Sequence, residues 1–258
     1  MTQLVSECDE SELSRSAIVF SPHQDDETLG CGGTIIRKKK AGADVKIVFM
    51  TDGCRSHSHL ISENELKSIR SQEAIAATQM LGVKQDDVYF LEFKDGELDK
   101  NQDAAIRKVA DILCREQPDE IFIPCYEEAP ADHVYTNKII TSALQIYGKK
   151  VVVYEYPIWF WCHWPWTNLI GSRRQILNFL KSSCVSSLKL LKDFRCSVYI
   201  GDVLELKRTA LEQHKSQMIQ LISDPRWLTL DSLSNGEFLE CFFQDREIFR
   251  RYIFLEKN

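Results

Sequence analysis

The sequence predicts an α/β fold, Rossmann-like, with a mostly parallel sheet flanked by helices. Three observations carry this. Short apolar runs of strand length recur at 17–21, 45–50, 88–91, 120–124 and 150–156. Between most of them lie segments with apolar spacings of three and four, the alternation that a parallel sheet with helical crossovers requires. Polar residues crowd into the turns after the strands, where open α/β sheets hold their ligands. At 258 residues the chain is long enough for one sizeable core.

Taken in order, residues 1–16 are polar and acidic and read as a lead-in. They lack the basic start and long apolar core of a signal peptide. Ala17–Ser21 reads as the first strand, and a helix follows from near Thr28 to Lys39. Its basic end, Arg37 to Lys40, reads as a solvated helix C-terminus, where cations are favoured. Val45–Met50 is a second strand, closed by Thr51-Asp52-Gly53. Cys54 to Leu60 is then a loop over the strand ends, with His57 and His59 read as solvated rather than as ligands. Glu63 to Leu81 has helical period, with Ser62 as N-cap, Glu65 three residues on, and Gly82 as the stop. Within it Arg70 and Glu73 read, on spacing alone, as a surface ion pair. Val88–Leu91 is a third strand, Gln102–Glu116 a helix, Glu120–Pro124 a fourth strand, Val134–Tyr147 a helix and Lys150–Tyr156 a fifth strand. Pro157 to Trp166 then holds four of the five tryptophans. This opens an aromatic-rich insertion at about 157–200, with Ser197–Ile200 as an edge strand in it. Val203–Ile222 reads as one helix, and the apolar tail Asn235–Leu255 as packing back on the sheet. With no repeat or linker, 1–258 reads as a single domain.

Composition excludes several classes of function. A net charge of -6 argues against a nucleic-acid binder. No run of about 18 apolar residues exists to span a membrane. The nine cysteines are scattered, odd in number and free of C-x-x-C pairs, which points to reduced thiols and a cytoplasmic setting.

Chemistry concentrates in 17–33, AIVFSPHQDDETLGCGG. His23, Asp25, Asp26 and Glu27 follow a buried-type strand, and small residues open the next helix. Imidazole and carboxylate both suit a borderline divalent ion such as zinc, and a second carboxylate beside it can act as general base. The plainer reading is an acidic helix cap. It accounts for one Asp better than for a His with two.

PHQDDETLGCGG resembles the signature of the PIG-L/LmbE-like family, zinc-dependent deacetylases of N-acetylated amino sugars. The resemblance implies that His23 and Asp26 bind the metal and that Asp25 is the general base. Further along, Asp132-His133 resembles the end of the family's His-x-Asp-His. It makes His133 the third ligand and Asp132 a residue that orients its neighbours. The first His of that pattern is absent, and Pro130 stands in its place. In the family that His acts as general acid or steadies the oxyanion, so the resemblance leaves three readings open: a substitute (His163, Tyr126 or protonated Asp25), reliance on the metal alone, or altered chemistry. Arg70, in a family-like Arg-x-x-Glu, is implied to face the substrate or brace the site. Asp95 either accepts from sugar hydroxyls or makes an ordinary Asp-Gly turn. The tryptophan cluster with His163 is either a sugar platform or plain packing. Membrane contact is the weaker reading, because two prolines interrupt any amphipathic helix. Near the C-terminus Lys207, Ala210, His214, Ser216 and Gln217 follow the family's closing pattern, with His214 read as packing. The expected function is hydrolysis of an N-acetyl group from a GlcNAc-type conjugate with one Zn2+ per chain. The alternative is a degenerate carbohydrate-binding homologue. A nucleotide loop is disfavoured, since Gly30-Cys31-Gly32-Gly33 lacks the G-x-G-x-x-G spacing.

Overall fold

The computed structural model describes residues 6–163 and 192–255. Eight strands form one mixed sheet: β1 (Ser6–Glu7), β2 (Ala17–Ser21), β3 (Val45–Thr51), β4 (Val88–Phe93), β5 (Glu120–Pro124), β6 (Val151–Tyr156), β7 (Cys196–Tyr199) and β8 (Arg246–Phe254). Their order is β1-β7-β8-β6-β5-β2-β3-β4. Strands β4, β3, β2, β5 and β6 run parallel. β8 is antiparallel to both β6 and β7. The helices are α1 (Glu10–Leu13), α2 (Asp26–Lys40), α3 (Glu63–Met80), α4 (Gln102–Glu116), α5 (Ala131–Tyr147), α6 (Leu204–Leu211), α7 (Lys215–Met218) and α8 (Glu237–Glu240).

The central strands read as unbroken apolar runs because both faces are covered. β2 and β5 are buried at every position. Side chains alternate between two cores. Val19, Ile47 and Phe49 pack under α2 and its neighbours, while Ile18, Phe20 and Val48 pack under α4 and α5. The chain leaves β2 for β3 on one side and later returns to β5 on the other. The carboxyl ends of β2 and β5 therefore diverge at a topological switch point, the crevice such sheets use for ligands.

Several sequence expectations need correction. Residues 6–13 are ordered lead-in: β1 pairs parallel with β7, and Cys8 Sγ lies 3.1 Å from Cys196 Sγ. β7 is consequently internal, between β1 and β8, and not an edge strand. The tail does more than pack back, since β8 inserts into the sheet. Lys38 is buried, not solvated: it ion-pairs with Glu120 at 2.7 Å and donates to the Glu12 and Arg15 carbonyls. Arg70 and Glu73 are both buried and do not pair with each other; Glu73 accepts from Ser216 N and Oγ instead. The predicted 203–222 helix breaks after Leu211 and restarts at Lys215. Of the aromatic-rich insertion, Trp159–His163 forms a 3-10 turn, and 164–191 lie outside the described residues.

α2 is kinked at Cys31 (φ -149°, ψ 21°), which frees backbone groups in its middle. Two buried charges satisfy them. Glu247 accepts from Gly33 N at 2.8 Å and Thr34 N at 2.7 Å, and Lys207 Nζ donates to the Leu29 carbonyl at 2.9 Å. The two charges pair with each other at 2.8 Å. A side chain at Gly30 would run into the Tyr156 ring. The glycine-rich stretch is thus a helix-on-sheet contact.

Candidate active site

The site lies at the carboxyl ends of β2 and β5, where β2 turns into α2 and β5 into α5. His23 Nδ1 is 3.4 Å from Asp26 Oδ2, and His133 Nε2 is 3.2 Å from the same oxygen. One ligand atom from each of the three residues lies within 4.8 Å of the others. The backbone locks Asp26 in place, since its Oδ2 also accepts from His23 N at 3.0 Å. His133 is in the first turn of α5, which starts at Ala131, three residues earlier than the sequence suggests. Its ring is fully buried and neither nitrogen has a hydrogen-bond partner among the described residues.

Two imidazoles and one carboxylate, with orphaned buried ring nitrogens, make a donor set that fits a borderline divalent ion. The outer partners also fit. His23 Nε2 faces Asp95 Oδ1 at 3.2 Å and Asp132 Oδ2 at 3.3 Å, so carboxylates orient the ring from behind. Asp132 is held in turn by the Gly96 and Leu98 N–H groups. His133 Nδ1 has Glu128 3.6 Å away, itself accepting from the N–H groups of Ile158 and Trp159. Electrostatics follow this crowding. Burial opposes protonation of His23, but Asp95, Asp132 and Asp26 outweigh it and push its pKa well above the ordinary range. Burial acts to raise Asp26 and Asp95, yet the histidines beside each hold both well below the carboxylate range.

Asp25 precedes α2 with φ 147° and ψ -28°, a conformation L residues rarely adopt. Such strain costs on the order of 1–3 kcal/mol and clusters at functional sites. Burial, with Asp26 adding to it, pushes the Asp25 carboxyl up to about 6, against the pull of Arg70. Arg70 Nη2 is 3.4 Å from Asp25 Oδ1 and donates to the Gln24 carbonyl at 2.6 Å. Gly53, at φ +61°, lies against Gln24 and Arg70, where any side chain would collide. This explains the Thr-Asp-Gly turn after β3.

His23, Asp25, Asp26, Arg70 and Asp95 line a pocket of about 400 Å³. One wall is polar, with His23, Asp25, Asp95, Arg70, Ser56 and His57. The other is apolar, with Leu29, Pro130, Ile158, Trp159, Leu230 and Phe238.

The sequence-derived candidates thus sort clearly. His23, Asp25, Asp26, Arg70 and Asp95 all line the pocket, and His133 and Asp132 stand directly behind it. Asp95 lines the pocket, faces His23 and accepts from Arg55 N. His163 closes the 3-10 turn, but its side chain lies outside the described residues. Tyr126 is exposed beneath Arg250 and is not among the pocket residues. His57 is not solvated. It is buried, stacks on Trp227 at 4.2 Å, and Nε2 donates to the Leu228 carbonyl at 2.9 Å. Sequence reasoning missed Glu128 and the wall from Leu228 to Phe238, since neither carries a spacing signal. Glu27 was visible only as part of the motif.

Comparison with known proteins gives the chain relatives. The family profile described as PIG-L: GlcNAc-PI de-N-acetylase matches residues 18–144. A diacetylchitobiose deacetylase from Thermococcus kodakarensis is 28% identical over 210 residues, covering 79% of this chain and 70% of that protein. Among solved structures, an N,N'-diacetylchitobiose deacetylase from Pyrococcus horikoshii shares the fold with a TM-score of 0.64 at 23% identity, over 95% of this chain and 87% of its own. GalB, a 4-carboxy-2-hydroxymuconate hydratase from Pseudomonas putida, shares it with a TM-score of 0.58 at 18% identity, over 95% and 98%. One fold therefore carries more than one chemistry, and the choice rests on the site.

Proposed function

As residues 18–144 of this chain belong to the PIG-L family, we propose that the protein is a zinc-dependent N-deacetylase acting on an N-acetylated amino-sugar conjugate of GlcNAc type. The observation that carries it is the convergence of His23, Asp26 and His133 beside the strained, buried Asp25. The deacetylase named among its relatives supports the substrate class.

His23, Asp26 and His133 would hold the ion, with Asp132 and Asp95 orienting His23 and Glu128 behind His133. A bound zinc supplies a Lewis acid for the amide carbonyl and lowers the pKa of water towards neutrality. Asp25 takes the proton of the water that adds to the carbonyl carbon. It returns that proton to the amide nitrogen as the C–N bond breaks, so acetate and a free amine leave. A carboxyl raised to about 6 suits both transfers near neutral pH. Arg70 holds Asp25 ionised and oriented. The apolar wall with Trp159 offers the sugar a stacking face. We place the chain in the cytoplasm as a single domain; nine scattered cysteines, odd in number and without C-x-x-C pairs, support a reducing compartment. No helix among the described residues is long and apolar enough to cross a membrane.

Pro130 favours a second reading, a non-catalytic carbohydrate binder, because proline offers neither a proton nor an N–H where the family has histidine. One experiment separates the two. Free-amine release from a panel of N-acetylglucosamine conjugates is measured with metal-stripped and zinc-restored protein. Zinc-dependent release is expected; zinc-loaded protein that binds the conjugates and releases nothing overturns the deacetylase reading.

A further inference from the structure

We propose that Glu27 and His214 are positioning residues that hold the general base Asp25 in its strained conformation; this rests on the deacetylase reading above. The peptide unit between Gln24 and Asp25 is clamped at both ends. Its carbonyl, on Gln24, accepts from Arg70 Nη2 at 2.6 Å, and its N–H, on Asp25, donates to Glu27 Oε2 at 3.0 Å. On the far side of the Asp25 Cα, the Asp25 carbonyl accepts from Thr28 N and Leu29 N and is fixed to α2. Holding the peptide plane on one side and the helix on the other sets the rotation about N–Cα, which is the φ of 147°. A backbone in this region relaxes unless its surroundings over-determine it.

Glu27 is itself pinned. It is fully buried, its Oε1 accepts from Thr28 Oγ1 at 2.6 Å, and His214 Nε2 lies 3.0 Å from the same oxygen. A carboxylate opposite requires the His214 nitrogen to be the donor. His214 sits in the break between α6 and α7, fully buried, with no partner for Nδ1 among the described residues. The short α7 that follows anchors to α3 through Ser216 on Glu73, and its Gln217 donates to Ser56 at the pocket wall. The C-terminal His-x-Ser-Gln pattern therefore reaches the reacting centre through Glu27, 187 residues earlier in the chain. This is a more specific role than the packing that the sequence suggests for His214.

The test compares zinc-loaded wild type, His214→Leu, His214→Gln, Glu27→Gln and Asp25→Asn in steady-state deacetylation, with bound zinc measured for each. Leucine removes the donor; glutamine restores an N–H that can reach Glu27. His214→Leu is expected to lower kcat by about 100-fold, the scale of a misplaced reacting group, with KM and zinc content unchanged. His214→Gln should recover most of that loss. A His214→Leu enzyme with kcat within about threefold of wild type overturns the proposal, as does a loss that tracks zinc content. Should the leucine variant not fold, the near-isosteric Glu27→Gln takes its place: wild-type kcat there overturns the proposal equally. Failure of the underlying reading looks different. It would be seen as Asp25→Asn turning over like wild type, or as no release by the wild type itself.

Discussion

Burial raises the Asp25 carboxyl to about 6, and only its ionised form can take a proton from water. The sign follows: kcat/KM should fall as pH drops through this range, with the midpoint at or below about 6 because a bound cation favours the carboxylate. Asp25→Asn should lose about 100- to 10,000-fold in kcat and the acid limb with it, read from the pH–rate profile. Retention of that limb in the variant would assign it to another group. Pro130 offers the complementary test. It caps α5 with φ -68° and ψ 138°, a conformation open to most residues. Pro130→His should raise kcat by about 10- to 100-fold if an oxyanion or acid group is wanting there. Unchanged kinetics would mean that the chain's own residues already fill that role. The signature stretch made His23, Asp25 and Asp26 legible from sequence, because contiguous ligands need only a strand and a turn. Asp95 and Asp132 were also named, but which groups they face was not legible, nor were the contacts of Glu128 and His214, because these residues come from separate turns.

At the scale of the element, the kinked α2 depends on charges that no helical pattern reveals. Lys207 and Glu247 are both buried and satisfy the groups that the kink at Cys31 exposes. Removing one member leaves the other uncompensated, at a cost of about 3–5 kcal/mol. Lys207→Met should therefore lower Tm by about 10 °C in a chain of this size. Glu247→Gln in the same chain should recover part of the loss, and calorimetry of the single and double variants checks both. Most element boundaries were readable: α4 and β5 coincide with the periodicity, and Ser62 caps α3 by accepting from Glu65 N. The break in the 203–222 segment was not. His214 lies between the two helices with its Nε2 3.0 Å from Glu27 Oε1, and propensity carries no trace of that bond.

Over the whole molecule, the candidate ligands come from two strand ends that meet only in the folded state. An ion that binds this set stabilises the fold by mass action. Zinc should therefore raise Tm in a concentration-dependent way, and His133→Ala should abolish the rise, followed by thermal melts with and without chelator. Equal melting curves with and without zinc would argue against the site. The pocket is likewise a property of the whole chain. Its polar wall comes from the turns after β2, β3 and β4 with Arg70 of α3, and its apolar wall from α2, Pro130 at the start of α5, the β6 turn and the 228–238 segment.

The sequence by itself determined the alternation of strands and helices, the metal-type motif at 23–26 and the Asp-His pair at 132–133. Each is local: periodicity and contiguous ligands are written within a few residues. Tertiary structure alone decided the strand order that makes β7 internal, the burial of Lys38 and Arg70, and the chain of contacts from His214 through Glu27 to Asp25. Those depend on which distant segments share a low-dielectric interior, where every charge and N–H must find a partner.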